Sequence, residues 1–409
     1  MGWLDLWWVW PYGTAMTDIY AASIDFHQQH QGKLGTASVT GPLNKDELAL
    51  VYTPGVAEPC RAIKEAPELA YDYTLKGRTV AVISDGSAVL GLGNIGPAAG
   101  LPVMEGKALL MKEFGGIDAF PLVIDAHDPL EIITFVKQVA PTFAGINLED
   151  IGAPTCFQVE EALQDIGIPV FHDDQHGTAI VVRAALMNAA KVVGKPYESL
   201  KVVVVGAGAA GLSISRMLLG LHCMSDSCSL VAGAQHVADV ITLDTKGALV
   251  AGRADQNVYK QAIAGVSNLE RRRGGLLDVI EGIDAIVGVS GPGSIPAAAI
   301  GKMAKDPIVF AMANPTPEIM PDEAYAAGAR VVATGRSDFA NQINNVLAFP
   351  GIFRAVVQGR LKTITYEMKQ AASDRLANLV TEPTEQNIIP SPFMEGLAEQ
   401  VAQAVLQAK

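Results

Sequence analysis

The chain has 409 residues, 49% of them apolar and 18% charged, with a formal net charge of −13 at neutral pH. That length suggests about two domains, and the composition supplies large cores and excludes a disordered chain. The acidic balance would repel phosphate backbones and argues against a nucleic-acid partner. No apolar run approaches the ~20 residues that span a bilayer, so a cytoplasmic protein with no membrane partner is expected.

All four tryptophans (Trp3, Trp7, Trp8, Trp10) fall in the first ten residues, without the basic flank or small-residue cleavage site of a signal peptide. Met16 opens MTDIYAASIDFHQQHQGKL, a normal amphipathic helix start. Residues 1–15 are therefore read as an upstream leader and Met16 as the natural start, which mass spectrometry of the native N-terminus decides. From residue 79 onward, short apolar segments alternate with helical patterns, the mark of parallel α/β sheets. Candidate strands are Thr79–Ser84, Phe120–Asp125, Gly145–Leu148 and Pro169–His172. A long helix follows at Thr178–Val193, and then a second series at Lys201–Val205, Val240–Asp244, Ala285–Val289, Ile308–Ala311 and Arg330–Thr334.

The fold class expected is α/β with two domains. Residues 16–176 form an α/β domain for substrate and metal, and 177–339 a Rossmann-type doubly wound domain. Residues 340–409 form a helical tail whose stretches around Arg354–Val357 and Met394–Leu406 return to the first domain. Cys60, Cys156, Cys223 and Cys228 lack the spacing of a zinc module. Free thiols in a reducing cytoplasm are expected, with a local Cys223–Cys228 pair as the alternative.

Two GxGxxG patterns occur. Gly206-Ala-Gly208-Ala209-Ala210-Gly211 follows the strand KVVVV and opens the helical run LSISRMLLG. There glycines permit a tight turn and let backbone N–H groups approach a pyrophosphate at a helix N-terminus. Gly91-Leu-Gly93-Asn-Ile-Gly96 is followed by Pro97 with no immediate helix, and is read as a turn lining a substrate cleft. Asp244 ends the next strand, where a carboxylate accepts hydrogen bonds from ribose hydroxyls and disfavours a 2′-phosphate, so NAD is expected over NADP. It lies farther along than the usual ~20 residues, because His222–Ala234 reads as an insertion, and Lys246 close by could still meet a phosphate.

Glu149-Asp150 and Asp173-Asp174 each sit just after a strand, where acids of an open sheet converge on the ligand crevice. Hard oxygen ligands of this kind suit Mg²⁺ or Mn²⁺ rather than zinc; read alone, the same acids serve equally well as helix or loop caps. His172 and His176 straddle a strand end and read as packing or supporting residues. Lys107 lies in MEGKALLMK at a helix start. Most lysines are solvated, but one beside a divalent cation has its neutral form favoured and can act as a base. Tyr52, in VYTPGVA, sits where Pro54-Gly55 could project the phenol into a cleft or leave it half-buried at a turn.

Taken together, YTPGVAEPC at 52–60, SDGSAVLGLGNIGPAAGLPVMEGKALLMKEFGGIDAFPL at 84–122, INLEDIGAP at 146–154, FHDDQHGTA at 171–179, VVVGAGAAG at 203–211, FAMANPTPE at 310–318 and NNVLAFPG at 344–351 resemble the malic enzyme family, in its small bacterial and archaeal form. The likeness runs from about Met16 to the C-terminus. It implies that Glu149, Asp150 and Asp174 hold the metal, that Lys107 is the general base and Tyr52 the general acid, and that Asp173 tunes the lysine. It implies contacts from Asn314 and Asn345, with Asn344 alongside, to the substrate carboxylate or nicotinamide. One departure stands out: larger members carry an arginine shortly after the SDG aspartate, where this chain has Ser87-Ala88-Val89.

The activity implied is NAD-dependent oxidative decarboxylation of L-malate to pyruvate, by a homodimer with both chains near each site. A malolactic enzyme would keep the same site and release lactate. Another NAD dehydrogenase, such as one acting on amino acids, would not need the acidic cluster. A non-catalytic nucleotide sensor would bind NAD without turnover.

Overall fold

The computed structural model describes residues 19–224 and 227–409, so the leader inferred at residues 1–15 lies outside the described residues. The chain divides into two compact units, 1–42 and 43–409. In the first, helix α1 (Ile19–His30) buries none of its side chains, and His27 and His30 hydrogen-bond back to the carbonyls of Ser23 and Phe26.

The second unit opens with α2 (Lys45–Val51), α3 (Ala57–Glu65) and α4 (Ala70–Tyr73). Asn44 starts α2 with a capping box, accepting from the Asp46 and Glu47 N–H groups while Glu47 accepts from the Asn44 N–H. A four-stranded parallel sheet follows in the order β2-β1-β3-β4, built from β1 (Thr79–Ser84), β2 (Asp118–Val123), β3 (Gly145–Leu148) and β4 (Val170–His172). Its connections are α5 (Pro97–Gly115), α6 (Pro129–Val139) and α7 (Thr155–Glu161). Every residue of β1 and β3 is buried, which is why these strands read as continuous rather than alternating apolar runs.

Four expectations change here. The second strand lies two residues upstream of Phe120–Asp125, because its pairing with β1 begins at Thr79 opposite Asp118. The Gly91–Gly96 turn does lead straight into a helix: Pro97 is the first residue of α5, where a missing N–H costs nothing and a fixed φ suits the helix. Lys107 consequently sits in the middle of α5 and not at a helix start. The long helix α8 (Asp173–Val192) begins five residues before Thr178, with Asp173 and Asp174 in its first turn, where carboxylates face the positive end of the helix dipole.

After α8 the chain builds β5 (Lys201–Val205) and α9 (Ala209–Leu218), then a small antiparallel hairpin, β6 (Leu221–Met224) and β7 (Ser227–Leu230). This hairpin is the insertion read around His222–Ala234. Its register sets Cys223 directly opposite Cys228, with Cα atoms 4.1 Å apart, and the two form a disulfide. The expectation of four free thiols is corrected by that pairing; Cys60 and Cys156 are free. The chain continues with β8 (Asp239–Asp244), β9 (Gly247–Ala248), α10 (Val258–Val266), α11 (Leu276–Val279), β10 (Ala285–Gly288), α12 (Ala297–Ile300), β11 (Ile308–Ala311), α13 (Pro321–Ala326) and β12 (Val331–Thr334).

The second sheet runs β12-β11-β10-β5-β8-β9 and is parallel except for β9. Val202 and Val204 of β5 join one apolar core and Val203 and Val205 the other, as alternation on a strand covered on both faces requires. Chain order reverses at β5, which has β10 on one side and β8 on the other. Open α/β sheets bind ligands at such a switch point, beyond the strand C-termini. Helices α14 (Phe349–Gly359) and α16 (Leu397–Gln407) pack on α5, and α15 (Tyr366–Asn378) lies along α8. Among the described residues, no helix is long and apolar enough to cross a membrane.

Candidate active site

The strands β3 and β4 end side by side, and each is followed at once by two acids. The Asp150 N–H donates to Asp174 Oδ2 at 2.8 Å, tying the two ends together. Asn147, buried inside β3, donates to Glu149 Oε2 at 2.8 Å and aims that carboxylate. One oxygen from each of Glu149, Asp150 and Asp174 lies within 4.8 Å of the others. Asp150 adopts φ +53°, a left-handed conformation that Asp tolerates better than most residues.

Charge makes this cluster costly by itself. Burial, then the neighbouring charges of Asp174 and Glu149, push the Asp150 carboxyl up to about 9, and burial raises Glu149 as well. Asp150 Oδ2 is enclosed without a hydrogen-bond partner. Three hard oxygen donors, mutually repelling and with one orphaned atom, fit a divalent cation of the Mg²⁺ or Mn²⁺ kind.

Lys107 reaches this cluster from α5. Its Nζ lies 2.6 Å from Asp173 Oδ2, 2.9 Å from Glu149 Oε1 and 3.4 Å from Asn345 Oδ1, with the Phe349 ring centroid 4.3 Å away. Burial would drive the ammonium to lose its proton, but Asp173 and Glu149 outweigh that and hold the lysine above its ordinary value. Asp173 is raised to about 6 by burial, only partly offset by Lys107. The Asp173 side chain folds over Gly177: a Cβ there would stand 1.8 Å from Asp173 Oδ1 and 3.1 Å from the Asn345 Cβ.

The other residues singled out in the sequence are placed unevenly. Asn345 touches Lys107, whereas Asn344 caps the short turn that follows it, accepting from the Val346 N–H. Asn314 lies in the loop after β11, and its carbonyl would meet a Cβ on Gly91 at 2.4 Å, so loops of the two sheets touch there. Tyr52 ends α2 and is 67% exposed, and among the described residues no hydrogen bond or ring contact ties its side chain to the acidic cluster. Ser87, standing where the resemblance lacks its arginine, accepts from the Gly152 N–H at 2.8 Å and donates to Asp85 at 2.7 Å. It is a stitch between two loops. His172 is fully buried, 3.8 Å from Asp174 Oδ2, whereas His176 bonds Glu160 at 2.7 Å.

At the switch point, Gly206 has φ +119° and a Cβ there would meet the Val289 carbonyl at 2.5 Å. On Gly211 a Cβ would stand 1.8 Å from the Gly206 carbonyl. Gly208 caps α9, whose first residues are Ala209 and Ala210, and nothing crowds it within 4 Å. Exposed N–H groups at the start of α9 thus form an anion seat. Asp244 is more occupied than its sequence suggests: Arg253 and Lys260 both bond its Oδ2, the latter at 2.8 Å, and it accepts from the Lys246 N–H. Burial would raise it, but these bonds hold it down at about 2.

Sequence reasoning missed Asn147, Arg253, Lys260 and Glu318. Glu318 accepts from the Ser290 and Ala313 N–H groups at 2.8 and 3.0 Å, clamping the loops after β10 and β11. The cluster of basic residues over 246–260 was the one available signal.

Gly177→Ala should disrupt the Asp173–Lys107 contact while leaving the sheet intact. A loss of turnover of tenfold or more, with a native far-UV spectrum, is the expected outcome; wild-type turnover would mean that Asp173 does not need its present rotamer.

The N-terminal domain model of malic enzymes matches residues 31–164, and the malic enzyme NAD-binding domain model matches 175–409. The chain is 50% identical to the bifunctional malic/malolactic enzyme of Bacillus subtilis over 94% of this chain and 92% of that protein. It is 45% identical to the NADP-dependent malic enzyme of Halomonas elongata, over 95% and 92%. Its structure is similar to the NAD-dependent malic enzyme of Thermotoga maritima, with a TM-score of 0.88 and 46% identity over 94% of this chain and 98% of that one. The chain belongs to the malic enzyme family.

Proposed function

We propose that this protein oxidises L-malate and decarboxylates the product to pyruvate, with a nicotinamide dinucleotide as hydride acceptor. The observation that carries the reading is Lys107, buried against Asp173 and Glu149 beside three carboxylates that share one small space. A lysine in the middle of a helix is rarely brought into such company without a task.

Glu149, Asp150 and Asp174 would hold the cation, which when bound polarises the malate C2 hydroxyl and offsets the negative field that keeps Lys107 protonated. Lys107 accepts the hydroxyl proton, with Asn345 and Asp173 holding its Nζ in place. The α9 N-terminus and its glycines seat the pyrophosphate, and Glu318 fixes the two loops that follow β10 and β11. Lys107, having gained a proton, is also the group placed to return one to the enol carbon. Replacing Lys107 with alanine should lower turnover by about 10²–10⁴-fold, read as reduced cofactor and pyruvate formed from malate with Mn²⁺. Undiminished turnover would remove Lys107 from the mechanism. Lactate without net reduced cofactor would favour the malolactic reading, which the name of the Bacillus subtilis relative keeps in view.

Tyr52 as general acid requires a second chain. Its exposure is shared with Leu48, Leu50 and Val51, an apolar edge suited to a homodimer that delivers the phenol to the partner's Lys107. Mixing Tyr52→Phe and Lys107→Ala proteins, each weakly active alone, should then restore activity through hybrid dimers. No recovery on mixing would overturn action in trans.

The cofactor expectation also shifts. An Asp244 carboxylate free for ribose hydroxyls would select NAD, but here Lys246, Arg253 and Lys260 oppose Asp244 and Asp255. Three cations against two carboxylates leave the pocket positive, and NADP is accepted as well as NAD. Lys260→Ala together with Lys246→Ala should cut kcat/KM for NADP by about tenfold or more relative to NAD, the scale of one charge-assisted hydrogen bond. Equal loss for both cofactors, or no use of NADP by the wild type, would defeat this.

A further inference from the structure

A cavity of about 470 Å³ lies between α7, α8, α9, the β6–β7 hairpin and α15. Gln175 and His176 of α8 line it, but Asp173 and Asp174 do not, and no residue of the nucleotide loop does. Its volume is that of a metabolite pocket. Nothing in the reaction proposed above uses it.

Two cations and three carboxylates line it, and it is the cations and their polar neighbours that keep unbonded donors. Arg216, from α9, has Nε and Nη2 enclosed without a hydrogen-bond partner; its guanidinium stands 5.3 Å from the Phe157 ring centroid and feels the charges of Glu160 and Glu161. Lys369, from α15, forms no ion pair among the described residues, and its Nζ stands 5.9 Å from the Phe171 ring centroid. Gln175 Nε2 and the Tyr366 hydroxyl are also enclosed and unbonded. Three acids line the cavity, Glu160, Glu161 and Glu367, and each is already hydrogen-bonded, Glu367 to Thr365. Glu160 accepts from His176 and from the His172 N–H, and Glu161 hydrogen-bonds Tyr259.

A guanidinium does not shed its proton, and enclosed donors are normally paired. Four side chains keep spare donors that the carboxylates nearby leave unbonded, and a ligand rich in acceptors would satisfy them. Burial pushes Lys369 down to about 8, and Arg216 adds to the push against the pull of Glu160; an anion between the two cations would relieve it.

We propose that this cavity is a second anion site, taking a compact carboxylate- or phosphate-bearing metabolite between Arg216 and Lys369. Gln175 makes occupancy felt elsewhere. Its Oε1 accepts from Ser213 of α9 at 3.2 Å, its free Nε2 is available to the ligand, and it is adjacent in α8 to Asp174. Occupancy therefore adjusts the first turn of α8, where Asp173 and Asp174 sit. Binding does not depend on the reaction proposed above; only its effect on turnover does.

The test is calorimetric titration of the full-length protein with inorganic phosphate and, separately, with succinate, NADP and Mn²⁺ being present throughout. One of the two probes should bind, its Kd should weaken about tenfold or more in Arg216→Gln, as for loss of a charge-assisted bond, and Asp174→Asn, which acts only through the first turn of α8, should change it by less than Arg216→Gln does. Lys369→Met, on another wall of the cavity, repeats the test if Arg216→Gln fails to fold. Phosphate as the binder points to a phosphorylated metabolite, succinate to a carboxylic acid. The proposal is overturned if neither probe binds, or if both variants bind as the wild type does. An inactive wild-type protein that still binds the probe through Arg216 would count against the catalytic reading alone.

Discussion

One buried ammonium organises this protein. Lys107 is almost wholly removed from water, and an ion in that position costs several kcal/mol unless partners compensate it. Asp173 and Glu149 supply the compensation, and each comes from a different β-strand end. The lysine itself arrives from α5 and Asn345 from the C-terminal part of the chain. Four separated stretches must therefore be held in register before this buried lysine is compensated. The packing of α14 and α16 on α5, and the bare Gly177 beneath Asp173, are both consequences of that demand.

The acidic cluster beside the lysine follows the opposite logic. Its three carboxylates repel, one oxygen is orphaned, and burial raises the group that carries it. Such an arrangement is unfavourable alone, and the divalent cation proposed above would offset it. Stability here has been exchanged for a site, as is common where titratable groups are crowded at strand C-termini.

Helix α8 links the parts. Its first turn carries Asp173 and Asp174, its next residues wall the second cavity, and its far end leads into the strand that precedes the nucleotide loop. A single helix thus touches the acidic cluster, the second cavity and α9. The Ser213–Gln175 bond joins α9 to that same turn. Coupling between the three regions needs no long chain of intermediates.

Much of this was legible in the sequence because it is local. The strands Thr79–Ser84, Gly145–Leu148, Lys201–Val205 and Ile308–Ala311 are short apolar runs between turn signals, and burial on both faces leaves that run as their signature. The nucleotide loop was readable because glycine, strand and helix must follow one another directly. The acids after β3 and β4 were readable as pairs at strand ends, and their grouping as metal ligands came from the family resemblance. What the tertiary structure alone decided is which side chains meet. Asp244 looked free until Arg253 and Lys260, 9 and 16 residues farther on, closed over it. Cys223 and Cys228 looked like thiols until a hairpin register faced them. Tyr52 looked like a cleft residue until α2 left it in solvent. Sequence specifies the backbone's local preferences and the order of its elements; charge pairing and burial are properties of groups distant in the chain, and only packing brings those together.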